Sequence, residues 1–417
     1  MLEIKNLSFS YNKKDFIFKD LNLSLEKGLY VITGPNGSGK TTLVRIITRM
    51  AELLYQGKIE GRISLNGKEN FKPYVVLQNN DASLFYETLV DEISFLSLNK
   101  DFIFKDPLEF FKRWNLEKIK DIRSDFLSYG QKQIYSIAVS LSFKDRDNLI
   151  IMDEPIAFLD ELNIAYFRDL ISELKKENVI LLFGHRFLEI SDIVDGFFNI
   201  SGGKIEKIPK ITYQRKKLIS ANHDRKDIIL KISSLTHNFI KNKVDFEIKK
   251  FDMKVVYGIN GSGKTTLAKI LSGIVRDFKG YLYIEEKHAD SRFLLENVYP
   301  VFANPDTQII SRRISNIFEN FCEKANSILK KLCLLEKKDY FISHLSYGEK
   351  QKFLIAYAIL KNKKIILVDE PFISFDYESE KAIFEILKDY IEEGGSVIFF
   401  THRKDILDLV DCDIIEL

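Results

Sequence analysis

Two stretches of this chain carry the same glycine-rich, phosphate-binding pattern, and three further motifs come after each of them in the same order. Gly34-Pro35-Asn36-Gly37-Ser38-Gly39-Lys40-Thr41-Thr42 and Gly258-Ile259-Asn260-Gly261-Ser262-Gly263-Lys264-Thr265-Thr266 both satisfy G-x-x-x-x-G-K-[ST]. Leu127-Ser128-Tyr129-Gly130-Gln131 and Leu345-Ser346-Tyr347-Gly348-Glu349 come next. Then come Ile151-Met152-Asp153-Glu154-Pro155 and Leu367-Val368-Asp369-Glu370-Pro371, and last Gly184-His185-Arg186 and Thr401-His402-Arg403. One phosphate loop can arise by coincidence. Four motifs repeated at a spacing of about 220 residues cannot, so the chain must build one unit twice.

The repeat sets the domain plan. Each half of the 417 residues is long enough to bury its own core. Expected are one domain at 1–203, a linker at 204–228 and a second domain at 229–417. β-like stretches open the copies at 4–11 and 229–239. Apolar runs at 29–33 and 254–257 then enter the glycine-rich loops, and a helical pattern at 42–47 leaves the first. Strand, loop and helix in that order turn the pattern into a site. Residues 149–152 and 365–368 are unbroken apolar runs ending in paired acids. Such runs suit strands buried on both faces of a parallel sheet, with the carboxylates at its C-terminal edge. The fold class is α/β: two P-loop NTPase domains in tandem, each a mainly parallel sheet with flanking helices. Amphipathic stretches near 89–123 and 309–339 read as helices, with Trp114 in the core.

Composition narrows the function. A net charge of +2 with 45% hydrophobic and 29% charged residues argues against a dedicated nucleic-acid binder, which carries a strong basic excess. The Lys- and Arg-rich stretch from Lys204 to Lys226 reads as a solvated linker. Cys322, Cys333 and Cys412 lack C-x-x-C spacing and read as idle thiols in a reducing compartment. Residues 1–5 alternate like a strand rather than a charged-then-apolar leader, and no apolar run approaches the ~20 residues of a spanning helix. The expectation is a cytoplasmic protein that does not itself cross a membrane.

The motifs fit ATP and Mg²⁺. Backbone N–H groups of each glycine-rich loop can wrap phosphates at a helix N-terminus, with Lys40 and Lys264 along the β- and γ-phosphate oxygens. Thr41 and Thr265 would ligate Mg²⁺, which prefers hard oxygens, together with Asp153 and Asp369. Glu154 and Glu370, one residue further, could polarise the attacking water as general bases. His185 and His402 come after apolar runs at nearly the same distance from those glutamates, which marks them as γ-phosphate contacts. His223, His237, His288 and His344 show no matching pattern.

This order of motifs resembles the nucleotide-binding domain of ABC ATPases, over essentially the whole chain and twice. The L-S-x-G-[QE] element is the most specific mark. The resemblance implies an antiparallel β subdomain and a helical subdomain in each half. It also implies head-to-tail pairing, each ATP lying between one domain's P-loop and the other's signature. Ser346, Gly348 and Glu349 would then face the nucleotide on Lys40, and Ser128, Gly130 and Gln131 the one on Lys264. Tyr11 and Phe239 would stack on adenine. Two departures stand out. Tyr129 and Tyr347 replace the signature's first glycine. The glutamine that resembles the family's Mg²⁺ and water contact is Gln78 in the first copy but Ala303 in the second. Gln308 lies five residues beyond and is not expected to substitute, so the Lys264 site is expected to turn over more slowly.

Segments 78–85 and 304–308 are similar to the Q-N-P-D-x-Q-[LI]-F stretch of energy-coupling-factor importers, and Thr88-Leu89-Val90-Asp91-Glu92-Ile93 extends the similarity. That likeness implies an integral membrane coupling subunit and a small substrate-capture membrane protein as partners, importing a vitamin or a metal ion. The competing class is a soluble ABC-F-like translation factor acting on ribosomes. Those factors carry a long, charged, helical linker, whereas the segment here is short and interrupted by Pro209. Zinc motifs, long coiled-coil insertions and an N-terminal cysteine array, marks of other tandem classes, are not visible in the sequence.

Overall fold

The computed structural model describes residues 1–11, 15–54, 57–77, 84–124, 127, 129–144, 146–210, 219–220, 227–309, 312–318, 322–370, 372 and 375–417. Two compact units emerge, Met1–Tyr213 and Gln214–Leu417.

The first unit opens with β1 (Leu2–Ser10) and β2 (Phe16–Leu25), and β3 (Gly28–Thr33) then runs into α1 (Lys40–Ile47) and the short α2 (Met50–Leu54). After β4 (Lys58–Leu65) and β5 (Tyr74–Val76) come α3 (Leu89–Leu96), α4 (Pro107–Arg113) and α5 (Tyr129–Ser140). β6 (Leu149–Asp153), α6 (Glu161–Leu174), β7 (Val179–Phe183), β8 (Gly196–Ser201) and β9 (Lys204–Ile208) complete it. The strands form an antiparallel sheet ordered β2-β1-β4 and a six-stranded sheet ordered β5-β6-β7-β3-β8-β9. The larger sheet is parallel except for β9, which runs antiparallel to β8.

The second unit repeats the plan. Short β10 (Ile219–Ser220) precedes β11 (Ile228–His237), β12 (Ile240–Lys249), β13 (Met253–Tyr257) and α7 (Lys264–Leu271). β14 (Lys279–Ile284), β15 (Lys287–His288), α8 (Ser291–Asn297) and β16 (Val298–Val301) lead to α9 (Ile314–Phe318), α10 (Cys322–Lys331) and α11 (Tyr347–Leu360). β17 (Ile365–Asp369), α12 (Tyr377–Glu392), β18 (Ser396–Thr401), α13 (Lys404–Leu407), β19 (Val410–Asp411) and β20 (Ile414–Glu416) close the unit. Its parallel sheet is ordered β16-β17-β18-β13-β20 and its antiparallel sheet β12-β11-β14-β15.

The unbroken apolar runs sit where a doubly covered sheet requires them. β6, β7 and β17 are buried along their whole length. Successive side chains on a strand point to opposite faces. Ile150 and Met152 therefore pack with the helical side, while Leu149 and Ile151 pack with α1 and the antiparallel sheet. Ile366 and Val368 divide from Ile365 and Leu367 in the same way. Trp114 packs against the helical-side core of its unit.

The segment read as a linker differs. Lys204–Ile208 are a strand, with Ile205 opposite Ile200 and Ile208 opposite Phe197, so its first residues belong to the first unit's sheet. Three residues apart, Ile205 and Ile208 face opposite sides of the sheet, Ile205 toward the α1 core and Ile208 toward the helical-side core, and this spacing is hidden within a basic run. Ile219–Ser220 pair with Val410–Asp411 and so belong to the second unit. Arg215, Lys216, Lys217, Arg225 and Lys226 lie outside the described residues. Among the described residues, no helix is long and apolar enough to cross a membrane.

Candidate active site

Each glycine-rich loop joins the C-terminal end of a central parallel strand, β3 or β13, to the helix that begins at its lysine. Gly39 and Gly263 turn the chain into those helices at φ 103° and 106°, a left-handed conformation that favours glycine. A Cβ there would also lie 2.8 Å from the Phe18 ring or 2.6 Å from the Phe239 carbonyl oxygen. The lysines fold back across their own loops. Lys40 Nζ donates to the carbonyls of Gly34 at 2.7 Å and Pro35 at 3.2 Å, and Lys264 Nζ to those of Gly258 at 2.7 Å and Ile259 at 3.1 Å. Both ammonium groups are thus held where loop amides and a helix N-terminus converge, an anion-binding arrangement. The Ser38 and Ser262 hydroxyls are buried in these loops with no hydrogen-bond partner, which suits a site completed by phosphate oxygens.

The acid pairs stand beside them. Thr41 Oγ1 donates to Asp153 Oδ2 at 3.4 Å, and Thr265 Oγ1 to Asp369 Oδ2 at 2.7 Å. A hydroxyl and a carboxylate are hard oxygen donors fit for Mg²⁺, and Asp369 Oδ1 is buried without a partner. Among the described residues no group of three or more His, Cys, Asp or Glu could hold a metal, so such an ion would take its other oxygens from phosphate and water. Burial raises the Asp153 carboxyl to about 6, against the pull of Lys40. Burial and the adjacent Glu370 raise Asp369 as well.

The next residue in each copy departs from ordinary backbone. Glu154 and Glu370 adopt φ 52° and 48°, unusual for glutamate, with their amides tied to Phe183 O at 2.8 Å and Phe400 O at 2.9 Å. Strain of this kind costs about 1–3 kcal/mol and collects at functional sites. The sequence motif alone does not reveal it.

The two sites differ around that glutamate. In the first, His185 Nε2 lies 3.0 Å from Lys40 Nζ and 3.1 Å from Asn36 Oδ1, and 4.0 Å from Glu154 Oε1. In the second, His402 turns its other nitrogen inward. Its Nδ1 lies 2.7 Å from Glu370 Oε1, its backbone N–H donates to the same oxygen at 2.9 Å, and Nε2 is buried without a partner. Thr401 Oγ1 adds a hydrogen bond to Glu370 Oε2 at 3.1 Å. Gly184 stands at the position of Thr401, and a Cβ there would fall 2.5 Å from Glu154 Oε2. Burial and Asp153 raise the Glu154 carboxyl far above its ordinary value. Burial acts on Glu370 too, but His402, Lys264 and Thr401 outweigh it and hold that carboxyl low.

The remaining expected contacts divide. Tyr11 reaches toward α1, its hydroxyl 3.3 Å from Thr42 Oγ1 and its ring edge-on to Phe9. Phe239 is 73% exposed beside His237, available to a flat ligand. Gln308 is committed to its own loop, accepting from Phe302 N at 2.7 Å and donating to Pro300 O at 2.8 Å. Ser346 and Glu349 form a capping box at the start of α11, and Glu349 also pairs with Lys337 at 2.5 Å. Gly130 and Gln131 lie in the first turn of α5, and Gly348 in that of α11. Gln78 and Ser128 lie outside the described residues.

The profile of the family described as ABC transporter matches residues 18–157 and 241–373. A protein of Methanosarcina mazei, provisionally named an ABC transporter ATP-binding protein, is 25% identical, the alignment covering 98% of this chain and 91% of the relative. A Bacillus subtilis protein, provisionally named an HMP/thiamine import ATP-binding protein, is 23% identical, covering 98% and 88%. Among solved structures, a chain from the model of ribosome-bound archaeal Pelota and ABCE1 is similar at a TM-score of 0.71 and 19% identity, covering 94% of this chain and 73% of that one. That last likeness concerns the fold alone.

Proposed function

The chain belongs to the ABC transporter family, whose domain it carries once in each half, and from that premise we propose that it is the ATP-hydrolysing subunit of a membrane importer of the energy-coupling-factor type. It is an ATPase of the P-loop kind. In each site the lysine and loop amides bind and orient the phosphates, and the buried glutamate at the strand end faces the place of the attacking water. Mg²⁺, held by Thr41 and Asp153 or by Thr265 and Asp369, supplies neutralisation of the phosphate charge when bound. Closing and opening of the halves at the inner face of the membrane is passed to a membrane coupling subunit, which works with a small substrate-capture protein to import a vitamin or a metal ion.

The observation that carries this reading is the near full-length match to relatives named as transporter ATP-binding proteins, one of them for HMP/thiamine import. The importer-like segments at 78–85 and 304–308 point the same way. The second reading, a ribosome-acting tandem ATPase, draws on the likeness to ABCE1, which at 19% identity is one of fold.

Purification of the tagged chain from its native cells in mild detergent tests the choice. A stoichiometric polytopic membrane protein is the expected companion. Ribosomal subunits, retained best in the Glu154→Gln/Glu370→Gln chain, would overturn the importer in favour of the ribosome.

A further inference from the structure

The aromatic ring at the edge of the Lys264 site lacks the anchor that its counterpart has. Phe239 lies in the turn between β11 and β12. Its carbonyl oxygen stands against Gly263, the residue that leads into α7, where a Cβ would fall 2.6 Å from it. That contact sets the turn beside the phosphate loop, yet the ring itself is 73% exposed. In the first copy the Tyr11 hydroxyl lies 3.3 Å from Thr42 Oγ1 in the first turn of α1. Phe239 has no hydroxyl with which to reach Thr266, the corresponding residue of α7.

A neighbouring side chain supplies a different hold. His237 Nδ1 accepts the Phe239 N–H at 3.1 Å, and its ring flanks the phenyl ring with centroids 5.5 Å apart and planes tilted by 38°. A side-chain acceptor two residues before the amide it binds closes a small ring of the kind that fixes turn geometry. With Ile4 aligned to Ile232, the residue in the place of His237 is Phe9 in the first copy. Phe9 is fully buried and meets the Tyr11 ring edge-on at 4.7 Å. A phenylalanine there gives ring contact and no acceptor. The second copy thus has a nitrogen on the neighbour where the first has a hydroxyl on the aromatic. The polar group changes position between copies, so no repeat marks His237. An exposed ring without such a hold would have to be ordered when a ligand stacks on it, and that ordering subtracts from affinity.

We propose that His237 is a positioning residue for the nucleotide base at the Lys264 site, its Nδ1 tethering the Phe239 amide so that the Phe239 ring is held ready to stack. This rests on the Lys264 loop being an ATP site with Phe239 at its base.

The test uses the full chain carrying Lys40→Ala and Glu370→Gln, so that only the Lys264 site binds and ATP persists there. Equilibrium dialysis reads its affinity for labelled Mg-ATP and for labelled Mg-tripolyphosphate, which fills the loop but has no base. His237→Phe keeps an aromatic ring and removes the acceptor. It should weaken Mg-ATP about threefold and leave tripolyphosphate unchanged. His237→Asn keeps an acceptor for the amide two residues on and should bind Mg-ATP as the parent does. Phe239→Ala sets the scale, with a loss of about tenfold for Mg-ATP alone. Full Mg-ATP affinity in His237→Phe overturns the proposal, and so does an equal loss in His237→Phe and His237→Asn. A matching fall in tripolyphosphate affinity overturns it too, because it marks a general packing role. A parent that binds neither ligand would instead sink the ATP-site reading, and full Mg-ATP affinity in Phe239→Ala would sink the placement of the base.

Discussion

At the scale of single residues, the two glutamates proposed as general bases are set apart by their surroundings. Glu154 is buried beside Gly184 with the His185 backbone amide bonded to it, whereas Thr401 Oγ1 and His402 Nδ1 add two further contacts to the equivalent amide bond on Glu370. A carboxylate so occupied is less available to take a proton from water, and Ala303 offers that site no glutamine contact. Glu154→Gln is therefore expected to remove most steady-state ATPase activity, about 10²-fold at its own site, and Glu370→Gln much less. Equal losses in a phosphate-release assay would refute the asymmetry. In the Glu370→Gln chain, the remaining rate should rise with pH across the neutral range, because burial and Asp153 raise Glu154 and the base must be ionised to act. Gly184 adds a steric test. Its φ of 154° and the 2.5 Å approach of a Cβ to Glu154 Oε2 leave no room for alanine. Gly184→Ala should cut turnover about tenfold or more by displacing that carboxylate. ATP affinity by equilibrium dialysis should fall far less.

At the scale of elements, Arg403 fastens the end of β18 to its neighbours. Its guanidinium donates to Phe372 O at 2.8 Å, to Glu380 on α12 at 3.1 Å and to Asp405 on α13 at 2.7 Å, and it is 3% exposed. Removing one partner of a buried ion pair costs about 3–5 kcal/mol. Arg403→Met should accordingly lower the urea midpoint of the second unit's transition, and no change would show that the network is dispensable. The strands that seat the motifs were legible because a doubly covered parallel sheet leaves an unmistakable mark, as in β6 and β17. β9 was not, since Ile205 and Ile208, three apart, show no period-two alternation, and Lys204, Glu206 and Lys207 read as solvated chain. Nor was the left-handed backbone of Glu154 and Glu370, because a dihedral forced by tertiary context leaves no trace in residue type. The contrast between His185 and His402 escaped for a related reason. It turns on whether the preceding residue is Gly184 or Thr401, a difference that acts only once Glu154 or Glu370 is packed against it.

At the scale of the molecule, duplication within one chain makes nucleotide stoichiometry a direct measure of how many sites survive. Both glycine-rich loops keep the lysine, the threonine and the acid pair in hydrogen-bonded geometry. Replacing each proposed general-base glutamate with glutamine preserves the planar shape of the carboxylate while removing the base, so ATP should accumulate rather than turn over. The Glu154→Gln/Glu370→Gln chain is thus expected to hold two ATP molecules per chain with Mg²⁺ present. Adding Lys40→Ala or Lys264→Ala should each reduce this to one, because the ammonium proposed to pair the β- and γ-phosphates is lost from a single loop. Equilibrium dialysis with labelled ATP reads the number directly. A value of one before any lysine is changed would mean that one of the two loops, despite its motif, has ceased to bind. Loss of both nucleotides on changing either lysine would mean that neither site binds ATP without the other filled. That outcome would turn the asymmetry of Glu154 and Glu370 from two rates into successive steps of one cycle.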